Sequence, residues 1–177
     1  MRFRLTLVIL AVLSASAAEA QLNPYNVYVG GKNKIRYDRF EWVTYRTPHF
    51  VISYYDRVEP SLEKVASYAE SAYDDLAHKL NFQINEPIPL ILYATHAEFE
   101  QTNIILNFIP EGVGAFASPV RNRMVLPVDL DDRELQGLIQ HELTHIFQYE
   151  IFFGGRRGRA VYARPPLWFM EGMASYY

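Results

Sequence analysis

Between Pro60 and Leu80 apolar side chains return at steps of three and four: Leu62, Val65, Ala66, Ala69, Tyr73, Leu76 and Leu80. Glu63, Lys64, Glu70, Asp74 and His78 fall on other sides. Helical turns of 3.6 residues gather the apolar set into one stripe, which predicts an amphipathic helix of about five turns. Pro60 suits its first turn, where a missing N–H is no loss. A second periodic stretch runs from about Asp132 to Phe153, with Leu135, Ile139, Leu143 and Ile146 on one side. Asp131, followed three residues later by Glu134, has the form of a capping box, and Gly154-Gly155 is a stop signal. Pro165-Pro166 then opens a last helix beginning Leu167-Trp168-Phe169.

The other apolar runs are short and rich in aromatic and β-branched residues, as strands are. Phe40 to Tyr45 and Phe50 to Tyr55 read as two strands broken near Thr47-Pro48, Leu90 to Tyr93 as a third, and Arg123 to Val128 as another. Residues 96–103 read as a short helix. Gly114, Ala115, Phe116 and Ala117 form a small-residue segment that could serve as an edge strand for a peptide substrate. An ordinary strand or turn accounts for it equally well. Residues 21–34 are polar and read as a surface lead-in. The sequence shows no internal repeat. The expected class is α+β: a small mixed sheet with helices packed on it.

The first twenty residues have the form of a signal peptide. Arg2 and Arg4 are the positive start, Leu5 to Leu13 is the apolar stretch, and Ala18 and Ala20 are the small residues of a cleavage site before Gln21. That stretch is too short to span a bilayer, which takes about twenty apolar residues. The expectation is an exported protein, periplasmic or secreted, with a domain over residues 21–177 and no transmembrane span once the signal is removed.

Composition narrows the function. Half of the 177 residues are hydrophobic, enough for a real core. A net charge of -3 gives no case for a nucleic-acid partner. The chain has no cysteine, which excludes thiolate metal sites and thiol nucleophiles and leaves the core or a metal to hold the domain. The arginines at 156, 157, 159 and 164 read as a solvated loop, with an anionic substrate or envelope surface as the functional alternative.

The chemistry concentrates in His141-Glu142-Leu143-Thr144-His145, an HExxH segment in the middle of the second periodic helix. Residues four apart in a helix stand about 40° apart around the axis and about 6 Å along it, so both imidazoles can reach one ion. Glu142 points about 100° away from His141. It cannot share that ligand position, but it can reach a water on the ion and act as a general base. His49, His78 and His96 have no such spacing and read as surface or strand residues.

HExxH followed by Leu167-Trp168-Phe169-Met170-Glu171-Gly172-Met173-Ala174 resembles the gluzincin metallopeptidases. It is most similar to bacterial peptidase-MA-like domains, whose second motif has the form W-x-x-E-G-x-A. The resemblance implies a zincin-like fold, one Zn²⁺ held by His141, His145 and Glu171, and Glu142 as the catalytic base. It also implies a peptide or protein substrate and a longer precursor in which a β-propeller follows the domain. Three features depart from the pattern. Twenty-five residues lie between His145 and Glu171, more than in thermolysin-like members. Ser175 stands where those enzymes place an Asp, and so would be the partner of His141. The oxyanion donor, a Tyr or His further downstream in such enzymes, has only Tyr176 and Tyr177 as candidates here.

Three functions remain. The first is zinc-dependent peptide hydrolysis in the cell envelope, by an endopeptidase or aminopeptidase. The second is a zinc-binding, non-catalytic module of a larger envelope protein. The third is an HExxH helix that is only structural. An intact Glu142 favours the first, because a scaffold has no need of the base.

Overall fold

The structure, a computed structural model, describes residues 38–104, 109, 112–154 and 165–177. The expected signal peptide, the 21–34 lead-in, Gly155 and the loop arginines 156, 157, 159 and 164 lie outside the described residues. The elements in chain order are β1 (Val43–Arg46), β2 (Phe50–Tyr54), a 3-10 turn (Asp56–Ser61) and α1 (Leu62–Leu80). Then come β3 (Ile88–Tyr93), the single turn α2 (His96–Phe99), β4 (Phe116–Ser118), β5 (Arg123–Pro127), α3 (Asp132–Phe153) and α4 (Leu167–Tyr176). The five strands make one mixed sheet in the order β1-β2-β3-β5-β4. The inner three are parallel and both edge strands run antiparallel to their neighbours. The coarse α+β expectation therefore holds.

Register explains where the core sits. Phe50 pairs with Ile88, Ile52 with Leu90, Leu90 with Met124 and Leu92 with Leu126. Side chains directly opposite each other share a face of the sheet. This face is therefore an apolar floor, and all seven of those residues are buried. α1 packs over β2, α3 packs over β4 and β5, and the two helices pack on each other. Their seam is aromatic: the Tyr73 ring lies 5.3 Å from that of Phe147 and 6.3 Å from that of Phe50. Full burial of side chains this size contributes about 1.5–3 kcal/mol each.

The helix boundaries follow their signals. α3 begins at Asp131, whose carboxylate accepts from the Glu134 N–H at 2.8 Å, and stops at Gly154 at a positive φ of 28°. α1 ends on Asn81, which takes the left-handed conformation that Asn tolerates. Strand ends moved more. β1 begins at Val43 rather than Phe40, because Phe40 and Trp42 turn their rings into a cluster with Tyr55 and Tyr93. β3 begins two residues early, at Ile88, and β5 ends one early, at Pro127. The short helix keeps only 96–99 of the expected 96–103. No helix among the described residues is long and apolar enough to cross a membrane.

Candidate metal centre

α3 carries His141, Glu142 and His145, and the four-residue step brings the two imidazole centroids to 4.9 Å. α4 packs against α3 and brings Glu171 to them. Its Oε2 lies 3.4 Å from His141 Nε2 and 3.5 Å from His145 Nε2. Those distances are at the outer limit of hydrogen bonding. They also suit two ligands of one ion: metal bonds of about 2.0–2.2 Å meeting at a tetrahedral angle put the ligand atoms about 3.4 Å apart. The three ligand atoms lie within 4.8 Å of one another, so His141, His145 and Glu171 could together hold a metal ion. The donor set of two imidazoles and one carboxylate is that of an open site with a position left for water.

Exposure gives the centre a direction. The His145 side chain is only 9% exposed, against 31% for His141 and 48% for Glu171. Solvent reaches the group from the His141–Glu171 side. Every residue from Glu142 to Tyr149 is buried, because α4 covers part of the helix surface that the sheet and α1 leave open.

One residue that sequence reasoning passed over joins the two helices. Gln148 is fully buried. Its Oε1 lies 2.9 Å from His145 Nδ1, and its Nε2 donates to the Met170 carbonyl at 2.8 Å. Because the amide NH₂ is engaged by a carbonyl, the oxygen must face the imidazole. His145 Nδ1 therefore carries the proton, and the Nε2 lone pair is turned towards Glu171. The only sequence signal was a Gln one turn beyond the second His, at a position where a surface helix would show a solvated polar residue.

Charges are shifted strongly here. Burial pushes the Glu142 carboxyl up, against the opposing pull of His145 and His141, while Glu171 raises it further. Burial alone would lower His145, but hydrogen bonding to Glu171, the Glu142 charge and the bond to Gln148 outweigh it and hold the imidazole above its ordinary 6.5. Contact with His141 and then His145 holds Glu171 down at about 2, against a smaller burial cost. The group thus keeps a carboxylate anion beside two imidazoles, with a second, buried carboxyl next to them.

The expected substrate strand shifts by two residues. Gly114 and Ala115 precede β4, whose residues are Phe116–Ser118, because antiparallel pairing with β5 begins only at Phe116 opposite Val125. β4 is still an edge strand and packs against α3. Its Ala117 backbone N–H is near enough to the Glu142 carboxyl to oppose slightly the rise that burial causes. At Gly114 a Cβ would sit 3.5 Å from Leu138 Cδ1, ordinary contact that does not demand glycine. Ser175 is exposed on α4, and among the described residues its hydroxyl makes no hydrogen bond to His141. His49 lies away from the centre: it is held by Glu70 at 2.6 Å and stacked on Tyr73 at 3.7 Å.

Comparison of the chain with family models, with curated proteins and with solved structures gives no match. What is defined is a mixed α+β protein with a two-histidine, one-glutamate group capable of holding a metal ion.

Proposed function

We propose that this chain is the catalytic domain of a zinc-dependent metallopeptidase with a zincin-like fold, acting on peptides in the cell envelope. The observation that carries the reading is the convergence of His141, His145 and Glu171 from two helices, beside the buried carboxyl of Glu142. Imidazole and carboxylate donors without thiolates suit several divalent metals, and zinc is the commonest for this set. Bound zinc would supply Lewis acidity to a water and to the scissile carbonyl. The chain supplies the rest. Glu142 takes the proton of the attacking water and returns it to the leaving amine. Its desolvated position favours the first step, since a base whose affinity for protons is raised accepts one more readily. Gln148 holds His145 in the tautomer that ligates. β4, an edge strand of the sheet among the described residues, is the strand along which an extended peptide would lie.

The test is metal content together with cleavage. The longest natural chain, purified without added zinc, should carry about one Zn²⁺ and cleave members of an unbiased peptide library. His141→Ala and His145→Ala should each lose the metal. Zinc content unchanged in both variants rejects the site. Zinc bound at His141, His145 and Glu171 with no peptide cleaved supports instead the non-catalytic module.

A further inference from the structure

The β4–β5 hairpin packs along α3. In the strand, the Ala117 backbone N–H stands near the Glu142 carboxyl. In the turn that joins β4 to β5, the buried Asn122 donates from Nδ2 to Glu150 Oε1 at 3.0 Å. Glu150 is eight residues beyond Glu142, about 12 Å further along the helix. The hairpin therefore lies lengthwise on α3, from the middle of the helix towards its C-terminal end.

Asn122 is a costly residue where it stands. Its φ of 47° lies in the left-handed region, where glycine fits without penalty and asparagine is tolerated. Its Oδ1 is buried with no hydrogen bond among the described residues, a cost that glycine would not bear. What the side chain supplies there is the bond to Glu150. A carboxylate accepts only, so the amide NH₂ must face it. Arg121, at φ 64°, is left-handed as well, and the two successive residues turn the amide towards α3. Apart from its packing on α3, β4 has three residues and a single strand neighbour, β5, to hold it. The bond to Glu150 therefore bears on where the strand stands relative to Glu142.

We propose that Asn122 is a positioning residue for the peptide: by tying the hairpin turn to Glu150 it holds β4, and with it the backbone of a bound peptide, in place against Glu142 and the metal ligands. The inference rests on the peptidase reading and adds a substrate class to it, peptides extended enough to pair along β4 rather than only to present a scissile bond. A misplacement of about 1 Å can cost about a hundred-fold in rate, so a tie at the far end of the hairpin is felt at the reacting bond.

Exchanging the roles of the pair tests the proposal, in the longest natural chain loaded with zinc. Asn122→Asp sets a carboxylate against Glu150 and keeps a residue that tolerates the left-handed turn. Amide hydrogen exchange at residues 116–118 should speed up about ten-fold or more, as loss of a charge-assisted bond implies. Cleavage of a peptide of about ten residues should fall about ten- to a hundred-fold in kcat/KM. A dipeptide anilide, too short to reach along the strand, should lose less. Zinc content and the circular dichroism spectrum should match the wild type. Asn122→Asp combined with Glu150→Gln again sets a donor against an acceptor, with the roles exchanged. It should recover both the slow exchange and the cleavage of the long peptide. Residues 116–118 that exchange in Asn122→Asp as they do in the wild type overturn the tie. Equal losses on the long and the short substrate, or no recovery in the double variant, overturn the positioning role. A wild-type chain that holds zinc and cleaves neither substrate is a separate failure. It rejects the peptidase reading and this use of the strand with it, while the exchange rates still decide whether Asn122 holds β4.

Discussion

Gln148 donates to the carbonyl of Met170 at 2.8 Å, which fastens the HExxH helix to the residue immediately before Glu171. The other end of the same amide sets the His145 tautomer. Gln148→Leu keeps the volume and removes both bonds. It leaves His145 Nδ1–H buried without its partner and takes the side-chain donor away from the Met170 carbonyl. Loss of such an outer partner typically weakens metal binding about ten- to a hundred-fold. Competition with a chromophoric chelator measures it, with circular dichroism as the check on folding. Affinity equal to the wild type would show that the amide does not position the ligands.

Glu142→Gln separates binding from chemistry. The variant keeps the size of the side chain and loses the base. Metal content should be unchanged, while peptide hydrolysis should fall about a hundred- to ten-thousand-fold. Retained cleavage would remove Glu142 from the reaction.

Protons should compete with the metal. The folded-state value of His145 lies above 6.5. In the metal-free protein its charge–charge contribution to stability is complete below 6.5 and is lost as pH rises through that higher value. The charged ring cannot ligate, so metal affinity should climb with pH across the same interval, and binding should release protons. Glu171 behaves in the opposite sense. Held at about 2, it contributes stability above its ordinary 4.5 that disappears as pH falls towards 2. Calorimetry in buffers of different ionisation enthalpy reads the protons released. Metal affinity flat between about pH 6 and 8 would contradict the His145 shift.

The seam between α1 and α3 can be tested apart from the centre. Phe147 is fully buried, with its ring 5.3 Å from that of Tyr73 and 6.4 Å from that of Phe82. Phe147→Ala should destabilise the fold by about 3–5 kcal/mol in urea unfolding. A loss below about 1 kcal/mol would mean that the seam is not packed as described.

The sequence is most legible where one force dominates. α1 carries a strong helical period and α3 its expected caps, Asp131 and Gly154, and the limits of both helices match the expectation, except that Pro60 lies in the preceding 3-10 turn rather than in the first turn of α1. The i, i+4 step of His141 and His145 is a property of any helix, so their convergence could be read directly. Three-dimensional neighbours could not be read. Gln148 is polar at a position that only the docking of α4 buries. Arg123 reads as an ordinary strand residue, and nothing in its neighbours along the chain reveals that its Nε is buried without a partner among the described residues. β1 starts later than residue type suggests, because Phe40 and Trp42 suit a strand by type but turn their rings into an aromatic cluster with Tyr55 and Tyr93. β4 is three residues long, too short for any period to mark.

Among the described residues the ten residues of α4 rest chiefly on α3, and the helix carries one of the three residues that could hold a metal ion while α3 carries the other two. Elements with few packing partners open at lower cost than the core, without global unfolding. A bound ion would then leave by the lifting of one helix, so its residence time would follow the local opening of α4 rather than the melting of the sheet. Mutations that loosen the Leu167–Tyr176 docking could make the protein leak metal at temperatures where every strand is still intact.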